Sequence, residues 1–170
     1  PAPDVCQELL ANGAFEAAVN WQFGATPYRA GYVTAPVHDG SRAVRMGLPP
    51  DVSNRLTYAS VYQRVAIPAG GGQVRLTYWE RPGGGDGVDY REVLLLNTDY
   101  SRLRTVERTN AASSGDAWRQ RIFDLSAFAG RTVVLYFNVY NDGRGTPMVS
   151  YLDDVSLALC TQPAEATTIT

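Results

Sequence analysis

Two short stretches near the ends of the chain decide the fold: NGAFE at residues 12–16 and YLDDVSL at residues 151–157. Each places carboxylates beside an otherwise apolar strand, and each lies just inside one of the chain's two cysteines. If the first and last strands pair, these carboxylates meet in space. Carboxylates that meet repel one another unless a positive charge lies between them, and an oxygen-rich cluster suits a hard cation such as calcium. The two stretches therefore predict a β domain with paired ends and a structural cation.

The two cysteines, Cys6 and Cys160, enclose almost the whole chain between them. We expect them to form a disulfide bond, which places the protein in an oxidising compartment and predicts an extracellular, secreted location. The alternative is a pair of free buried thiols, as in many cytosolic chains.

Length and charge limit the classes of function. The chain has 170 residues, a length typical of one domain, and a net charge of −2 with 15 basic residues. Such a surface has no basic field for nucleic acid, so we expect no nucleic-acid partner. No apolar segment is long enough to span a membrane. We expect a linker at 1–4, a folded domain at 5–161 and a linker or disordered tail at 162–170, in a monomer flanked by further domains of a larger chain.

Short β-rich runs alternate with clusters of Gly, Pro, Asn and Asp, and helical periodicity is nearly absent. The pattern predicts an all-β, two-sheet antiparallel sandwich with paired N- and C-terminal strands. A short helix or turn is expected at 125–130, ended by Gly130. The candidate strands are Glu8–Leu10, Tyr32–Val33, Arg42–Met46, Ala59–Ile67, Gln73–Arg81, Tyr90–Asn97, Arg102–Glu107, Trp118–Asp124, Thr132–Asn141 and Ser150–Leu159.

Three of these strands alternate between an aliphatic face and a face of aromatic and polar residues, because side chains point to opposite sides at successive positions. The aliphatic faces predict the core. The second faces are either solvated or form a platform for a sugar, since aromatic rings stack on pyranose C–H faces while Arg and Asn bond hydroxyls. The alternative for these aromatic residues is a structural role. The candidate ligand-binding residues are Trp79, Tyr62, Tyr136, Tyr140, Arg64, Arg75 and Asn138.

An ordered series of motifs resembles a known superfamily: NGAFE (12–16), HDGSRA (38–43), YQRV (62–65), LTYW (76–79), DLSAFAG (124–130) and YLDDV (151–155). In order and spacing the series is similar to the galactose-binding-like β-jelly rolls, which include bacterial carbohydrate-binding modules and the related MAM domains. The chain lacks the additional internal cysteines of MAM domains. The resemblance implies that the two-sheet antiparallel sandwich is a jelly roll, and that it serves as a carbohydrate-binding or adhesion module.

The resemblance also implies a structural calcium ion near the paired termini. The matching positions here are Glu16, Asp39 and Asp153, with backbone carbonyls near Asn12 and Arg42 as further ligands. The alternative is that the carboxylates of Glu16 and Asp153 accept hydrogen bonds at strand ends or pair with arginine.

Catalysis is not expected. His38 is the only histidine, and the chain has neither a Gly-x-Ser-x-Gly motif nor a cysteine and histidine pattern with zinc spacing. A glycosidase would need two paired carboxylates, and the available acids on or beside strands are Glu80, Asp89, Glu92, Glu107 and Asp142. The alternative non-catalytic function is a structural or protein-interaction accessory domain of a secreted enzyme such as a protease.

Overall fold

The computed structural model describes residues 3–113 and 117–163. In these residues every regular element is a β-strand except one turn of 3₁₀ helix, Ser126–Phe128, which lies inside the expected 125–130 segment. All strand pairs are antiparallel, and the all-β sandwich prediction is confirmed. The strands are β1 (Val5–Glu8), β2 (Gln22–Phe23), β3 (Gly31–Val33), β4 (Ala43–Gly47), β5 (Leu56–Ala66), β6 (Gln73–Gly84), β7 (Tyr90–Leu96), β8 (Arg102–Thr109), β9 (Arg119–Asp124), β10 (Thr132–Asp142) and β11 (Met148–Thr161).

The strands form two sheets. The six-stranded sheet has the order β3-β4-β11-β6-β9, and β1 also pairs with β11. The five-stranded sheet has the order β2-β5-β10-β7-β8. Neighbours in each sheet are mostly distant in sequence, so the chain crosses repeatedly between the two sheets, as in a jelly roll.

The chain ends meet as the sequence predicts. Strand β1 pairs with the last residues of β11, Cys6 lies opposite Cys160, and the two form a disulfide bond. The two terminal motifs also touch directly, because the Gly13 carbonyl accepts a hydrogen bond of 2.9 Å from the Val155 N–H. A Cβ at position 13 would lie 1.9 Å from the Val155 carbonyl oxygen, so only glycine fits this contact.

The core lies between the sheets and follows the period of two. On β10, Val133, Leu135, Phe137 and Val139 are at most 1% exposed, as expected for the aliphatic face of that strand. Each such side chain stabilises the fold by about 1.5–3 kcal/mol relative to an exposed position. The residues between them on β10 point away from the core, and they matter for the site described below.

An ionic network, buried at Glu80 and Arg91 and half-buried at Glu107 and Arg121, joins the two sheets on the side where β9 and β8 are the edge strands. Glu80 of β6 lies 3.4 Å from Nε of Arg91 on β7, and both side chains are less than 10% exposed. Glu107 of β8 pairs with Arg121 of β9 and accepts a 3.0 Å hydrogen bond from the Tyr78 hydroxyl. Because β8 belongs to the five-stranded sheet and β9 to the six-stranded sheet, these contacts close one side of the sandwich.

Two strand predictions from the sequence differ from the structure, and two terminal segments lie outside the described residues. The sequence pattern does not reveal the two-residue strand β2, and it places the first strand at Glu8–Leu10, where the structure has Val5–Glu8. Residues 1–2 of the expected N-terminal linker and 164–170 of the expected tail lie outside the described residues. No helix among residues 3–113 and 117–163 has the length and apolar character needed to cross a membrane.

Candidate functional site

The outer face of the five-stranded sheet brings together five of the seven candidate ligand-binding residues. Tyr62 and Arg64 lie on β5, and Tyr136, Asn138 and Tyr140 lie on the neighbouring strand β10. All five alternate with buried core residues of their strands, so their side chains point out of the sandwich.

The other two candidates, Trp79 and Arg75, do not lie on this face, and the prediction that they join it is wrong. Both are on β6, which belongs to the six-stranded sheet. The Trp79 ring stacks on the imidazole of His38 with centroids 3.9 Å apart, and Trp118 contacts His38 edge-on. Periodicity assigns the face of a strand but not the sheet to which the strand belongs, which is why the sequence grouped these residues with the tyrosines.

Strand registers arrange the outer face of the five-stranded sheet in rows across the strands. One aromatic row pairs Tyr62 with Tyr136, whose rings stack at 5.5 Å, and continues to Leu94. A second aromatic row contains Tyr58, Tyr140 and Tyr90, with ring centroids 4.9 and 4.8 Å apart.

A polar row separates these two aromatic rows. It runs from Ser60 through Asn138 and Glu92 to Arg108. A fourth row, beyond the first aromatic row, runs from Arg64 through Val134 and Leu96 to Arg102. The face therefore offers apolar rings and methyl groups next to hydrogen-bonding groups, which is the composition of a small-ligand site.

A groove of about 420 Å³ lies over this face. Its lining includes Gly24, next to β2, and Tyr100, in the β7–β8 turn, and the Tyr100 ring contacts Tyr62 edge-on at 5.8 Å. Tyr100 has a φ of 67°, a left-handed conformation that is unfavourable for a bulky residue. The lining residues are Gly24, Tyr58, Ser60, Tyr62, Glu92, Leu94, Leu96, Tyr100, Arg102, Tyr136 and Asn138. We call this the tyrosine groove.

The floor of the tyrosine groove contains one carboxylate, that of Glu92, among its lining residues. Glu92 is 7% exposed, and its charge is compensated by Arg108, whose Nε and terminal nitrogen lie 2.8 and 2.5 Å from Oε2. The other oxygen accepts a 3.1 Å hydrogen bond from the Asn138 amide. The guanidinium of Arg108 also lies 4.3 Å from the centre of the Tyr90 ring. These contacts fix the polar row in one arrangement.

Burial shifts the titration of three tyrosines on this face. Desolvation raises the pKa of Tyr62 and of Tyr136 above the ordinary value of 10.0, and it raises the pKa of Tyr90 to about 12. A phenol is protonated at neutral pH even at its ordinary pKa, so these three hydroxyls can donate hydrogen bonds while their rings supply an apolar surface.

Of the predicted calcium ligands, Glu16 and Asp153 both contact the loop at residues 38–42, which contains Asp39 and Arg42. The exposed carboxylate of Glu16 accepts hydrogen bonds from the N–H and hydroxyl of Ser41 and from the N–H of Arg42. These bonds, led by that of the Ser41 hydroxyl, lower the pKa of Glu16. Arg42 contributes an N–H donor to Glu16, and a backbone carbonyl near Arg42 as a calcium ligand stays a prediction.

Asp153 is fully buried on the other side of the same loop. Its carboxylate accepts backbone hydrogen bonds from His38, Asp39 and Asp154 at 2.8, 3.3 and 2.8 Å. Burial, the largest influence, raises the pKa of Asp153. The exposed Asp39 turns its own carboxylate to the N–H of Gly40.

The Asn12 carbonyl is engaged within its own segment. It accepts hydrogen bonds from the Phe15 N–H and the Trp21 indole N–H, which use both of its lone pairs. Among the predicted calcium ligands, hydrogen-bond donors thus already contact the carboxylates of Glu16 and Asp153 and the carbonyl of Asn12.

The structure also contains an acidic group that the sequence analysis did not single out as a metal site. Asp86, Asp89 and Asp142 place carboxylate oxygens within 4.8 Å of one another, close enough for all three to contact one metal ion. Asp89 is fully buried, where it accepts hydrogen bonds from the Asp142 N–H and the Asn54 amide, and burial raises its pKa. The three residues come from the β6–β7 loop and the end of β10, so nothing in their spacing predicts the cluster.

Several groove residues were also missed from the sequence. Ser60 lies within the candidate strand Ala59–Ile67 on the face of Tyr62 but was not named as a ligand residue, and extending that strand to its true start would have added Tyr58. Leu94 and Leu96 are apolar and were indistinguishable from core residues. Tyr100 lies in a turn, where no periodicity exists.

Comparison with known proteins defines the fold but no family. No protein-family model matches the chain, and no curated protein matches it. Among solved structures, the chain is similar to the TmCBM61 carbohydrate-binding module in complex with β-1,4-galactotriose, with 19% identity, a TM-score of 0.61, and 89% of this chain and 97% of that chain covered.

Two further solved structures have the same architecture. The CBM22-1 xylan-binding domain of Paenibacillus barcinonensis Xyn10C is 13% identical over 96% of this chain and 100% of that chain, with a TM-score of 0.58. The K1 cleaved adhesin domain of Lys-gingipain from Porphyromonas gingivalis is 12% identical over 92% of this chain and 98% of that chain, also with a TM-score of 0.58. The chain has the jelly-roll fold of these modules, as the sequence resemblance implied; identities this low establish the fold alone.

Proposed function

We propose that this domain is a non-catalytic carbohydrate-binding module and that the tyrosine groove is its glycan site. The observation that carries the proposal is the pair of stacked rings, Tyr62 and Tyr136, beside the polar row of Ser60, Asn138 and Glu92. A pyranose ring has apolar C–H faces and a rim of hydroxyls, and it needs this combination of surfaces. The proteins of similar fold that bind galactotriose or xylan support the proposal without specifying the ligand.

The composition of the groove supports binding rather than glycoside hydrolysis. Hydrolysis uses two carboxyl groups that flank the bond to be cleaved. Glu92 is the one carboxylic acid among the lining residues of the groove, and its charge is paired with Arg108. The single histidine of the chain, His38, packs on Trp79 of the six-stranded sheet rather than in the groove, and its ring nitrogen is hydrogen-bonded to Asp154.

The rival function is an interaction or spacer domain of a secreted enzyme, which predicts a flat sheet face with buried aromatic residues. Tyr58 and Tyr100 favour the carbohydrate proposal, because they line the groove and are 48% and 54% exposed. The disulfide Cys6–Cys160 supports the proposal of an extracellular location.

A glycan array probed with the purified domain tests the function. Calorimetry on the best ligand should then show that Tyr62→Ala and Tyr136→Ala each weaken binding by about tenfold, since each removes one stacking surface. Trp118→Ala is the matched control: it removes a half-buried aromatic side chain near the other sheet and should leave the affinity unchanged. No binding to any glycan, or equal losses in all three variants, would contradict the proposal.

We also propose that the fold holds a structural calcium ion, with Glu16 and Asp153 as its predicted protein ligands. Calcium takes six to eight oxygens, and donors of the 38–42 loop already engage these carboxylates, so the acidic group of Asp86, Asp89 and Asp142 is the alternative position. A cation that binds only the folded state raises the melting temperature, so chelation should lower it. Loss of this sensitivity in Glu16→Gln would assign the first position, and loss in Asp86→Asn the second. A melting temperature unchanged by chelator would contradict both.

A further inference from the structure

The charges around the tyrosine groove are not balanced. Glu92 is neutralised by Arg108, with an oxygen–nitrogen distance of 2.5 Å. Two other arginines, Arg64 and Arg102, stand on the same face, are exposed, and take part in no ion pair of the described residues. Arg102 lines the groove itself. The face therefore has two guanidinium groups without carboxylates, on a chain whose net charge is −2.

These two arginines occupy opposite ends of one row across the sheet. The register places Arg64 next to Val134, Val134 next to Leu96, and Leu96 next to Arg102. Three strand spacings separate the arginine Cα atoms, which is about 14 Å. Between them the side chains of Val134 and Leu96 are buried with Leu94 in a small apolar cluster, against which Tyr62 and Tyr136 pack. The nearest acid along the chain to Arg102 is Asp99, and its carboxylate accepts hydrogen bonds from the N–H and hydroxyl of Ser101.

We propose, building on the proposed carbohydrate function, that the groove selects an acidic glycan whose uronate carboxylates bind Arg64 and Arg102. The planar guanidinium matches a carboxylate with two parallel hydrogen bonds, which a neutral hydroxyl cannot reproduce. The sugar rings lie over the stacked rings of Tyr62 and Tyr136, which cover the buried Val134 and Leu96. A neutral chain of the same linkage makes the same ring contacts but leaves both guanidinium groups without an anionic partner.

The test compares glycans that differ only in charge. Polygalacturonate, alginate and glucuronoxylan are each paired with the carboxyl-reduced form of the same polymer, and binding is measured by affinity electrophoresis and calorimetry at 50 mM salt. We expect at least one acidic polymer to bind about tenfold more tightly than its reduced form. The preference should fall sharply at 500 mM salt, because screening weakens contacts between exposed charges.

Substitution of the two arginines tests whether they cause the preference for the acidic polymer. Arg64→Gln and Arg102→Gln should each reduce affinity for the acidic polymer by about threefold and together by about tenfold, since sites this far apart act independently. Neither should alter affinity for the reduced form. Arg75→Gln, which removes an exposed strand arginine from the other sheet, is the matched control and should change nothing.

The possible results distinguish failure of the acidic preference from failure of the carbohydrate-binding function as a whole. Equal affinity for the acidic and reduced forms, with binding lost in Tyr136→Ala, would overturn the acidic preference and leave the carbohydrate function standing. An acidic preference that persists in the double arginine variant would also overturn the inference. Absence of binding to every acidic and neutral polymer would contradict both.

Discussion

Removal of the disulfide gives a prediction whose size follows from the structure. The bond joins residues separated by 154 positions, so it closes almost the whole domain into a loop. In the chain-entropy treatment a loop of this length stabilises the folded state by about 5 kcal/mol, because the unfolded chain loses conformational freedom. A domain of this size has an unfolding entropy of about 0.33 kcal/mol per kelvin, so the double variant Cys6→Ala/Cys160→Ala should melt about 15 °C lower.

Thermal unfolding followed by circular dichroism measures this shift, and the wild type in excess reductant should show the same loss. Val5→Ala removes an exposed neighbour in β1 and should leave the melting temperature within about 2 °C, as a typical surface change does. Glycan affinity at 25 °C should not change, because the disulfide belongs to the six-stranded sheet and the groove to the five-stranded one. A fall of less than about 5 °C would refute the reasoning from loop length.

Three further predictions follow from individual side chains. Hydrogen bonds lower the pKa of Glu16 below 4.5, so the stabilisation by its carboxylate is present above pH 4.5 and is lost as the pH falls through the lowered pKa. In a plot of melting temperature against pH, Glu16→Gln should therefore lose less stability than the wild type as the pH falls below 4.5. Curves of the two proteins that stay parallel at low pH would contradict this. Glu80→Ala leaves the buried guanidinium of Arg91 unpaired and should cost about 3 kcal/mol in urea unfolding, whereas a loss under about 1 kcal/mol would show that the network contributes little. Tyr100→Gly relieves the strain of a left-handed backbone and removes the ring contact with Tyr62. Glycan affinity, measured by calorimetry, should therefore fall while the melting temperature changes little. An unchanged affinity with a shifted melting temperature would show that Tyr100 is not part of the glycan site.

Local pattern predicted the elements of this fold well because its strands are long and alternate strictly. The inward residues of β10 and the outward Tyr136 and Asn138 follow from a period of two alone. The two terminal motifs and the flanking cysteines predicted the meeting of the chain ends, and the motif resemblance supplied the jelly-roll topology. The strand β2 was missed, because a pair of residues is too short for any periodicity to appear.

The site was predicted only in part because strand order is a tertiary property. The outward faces of β5, β6 and β10 have similar compositions, yet β6 pairs with β9 and β11 in the other sheet, so Trp79 packs on His38 instead of lining the groove. The isolated guanidinium of Arg102 and the pairing of Glu92 with Arg108 depend on register between strands that are distant in sequence. Neither property can be deduced from the order of residues in one strand.

NMR chemical-shift mapping of the isotope-labelled domain during titration with its best glycan tests directly whether the glycan binds in the tyrosine groove. We predict that the largest amide and side-chain shifts cluster on the outward positions of β5, β10 and β7, at Tyr62, Tyr136, Asn138 and Glu92, and in the turn that contains Tyr100. Shifts concentrated instead around Trp79, Trp118 and His38 on the six-stranded sheet would contradict it.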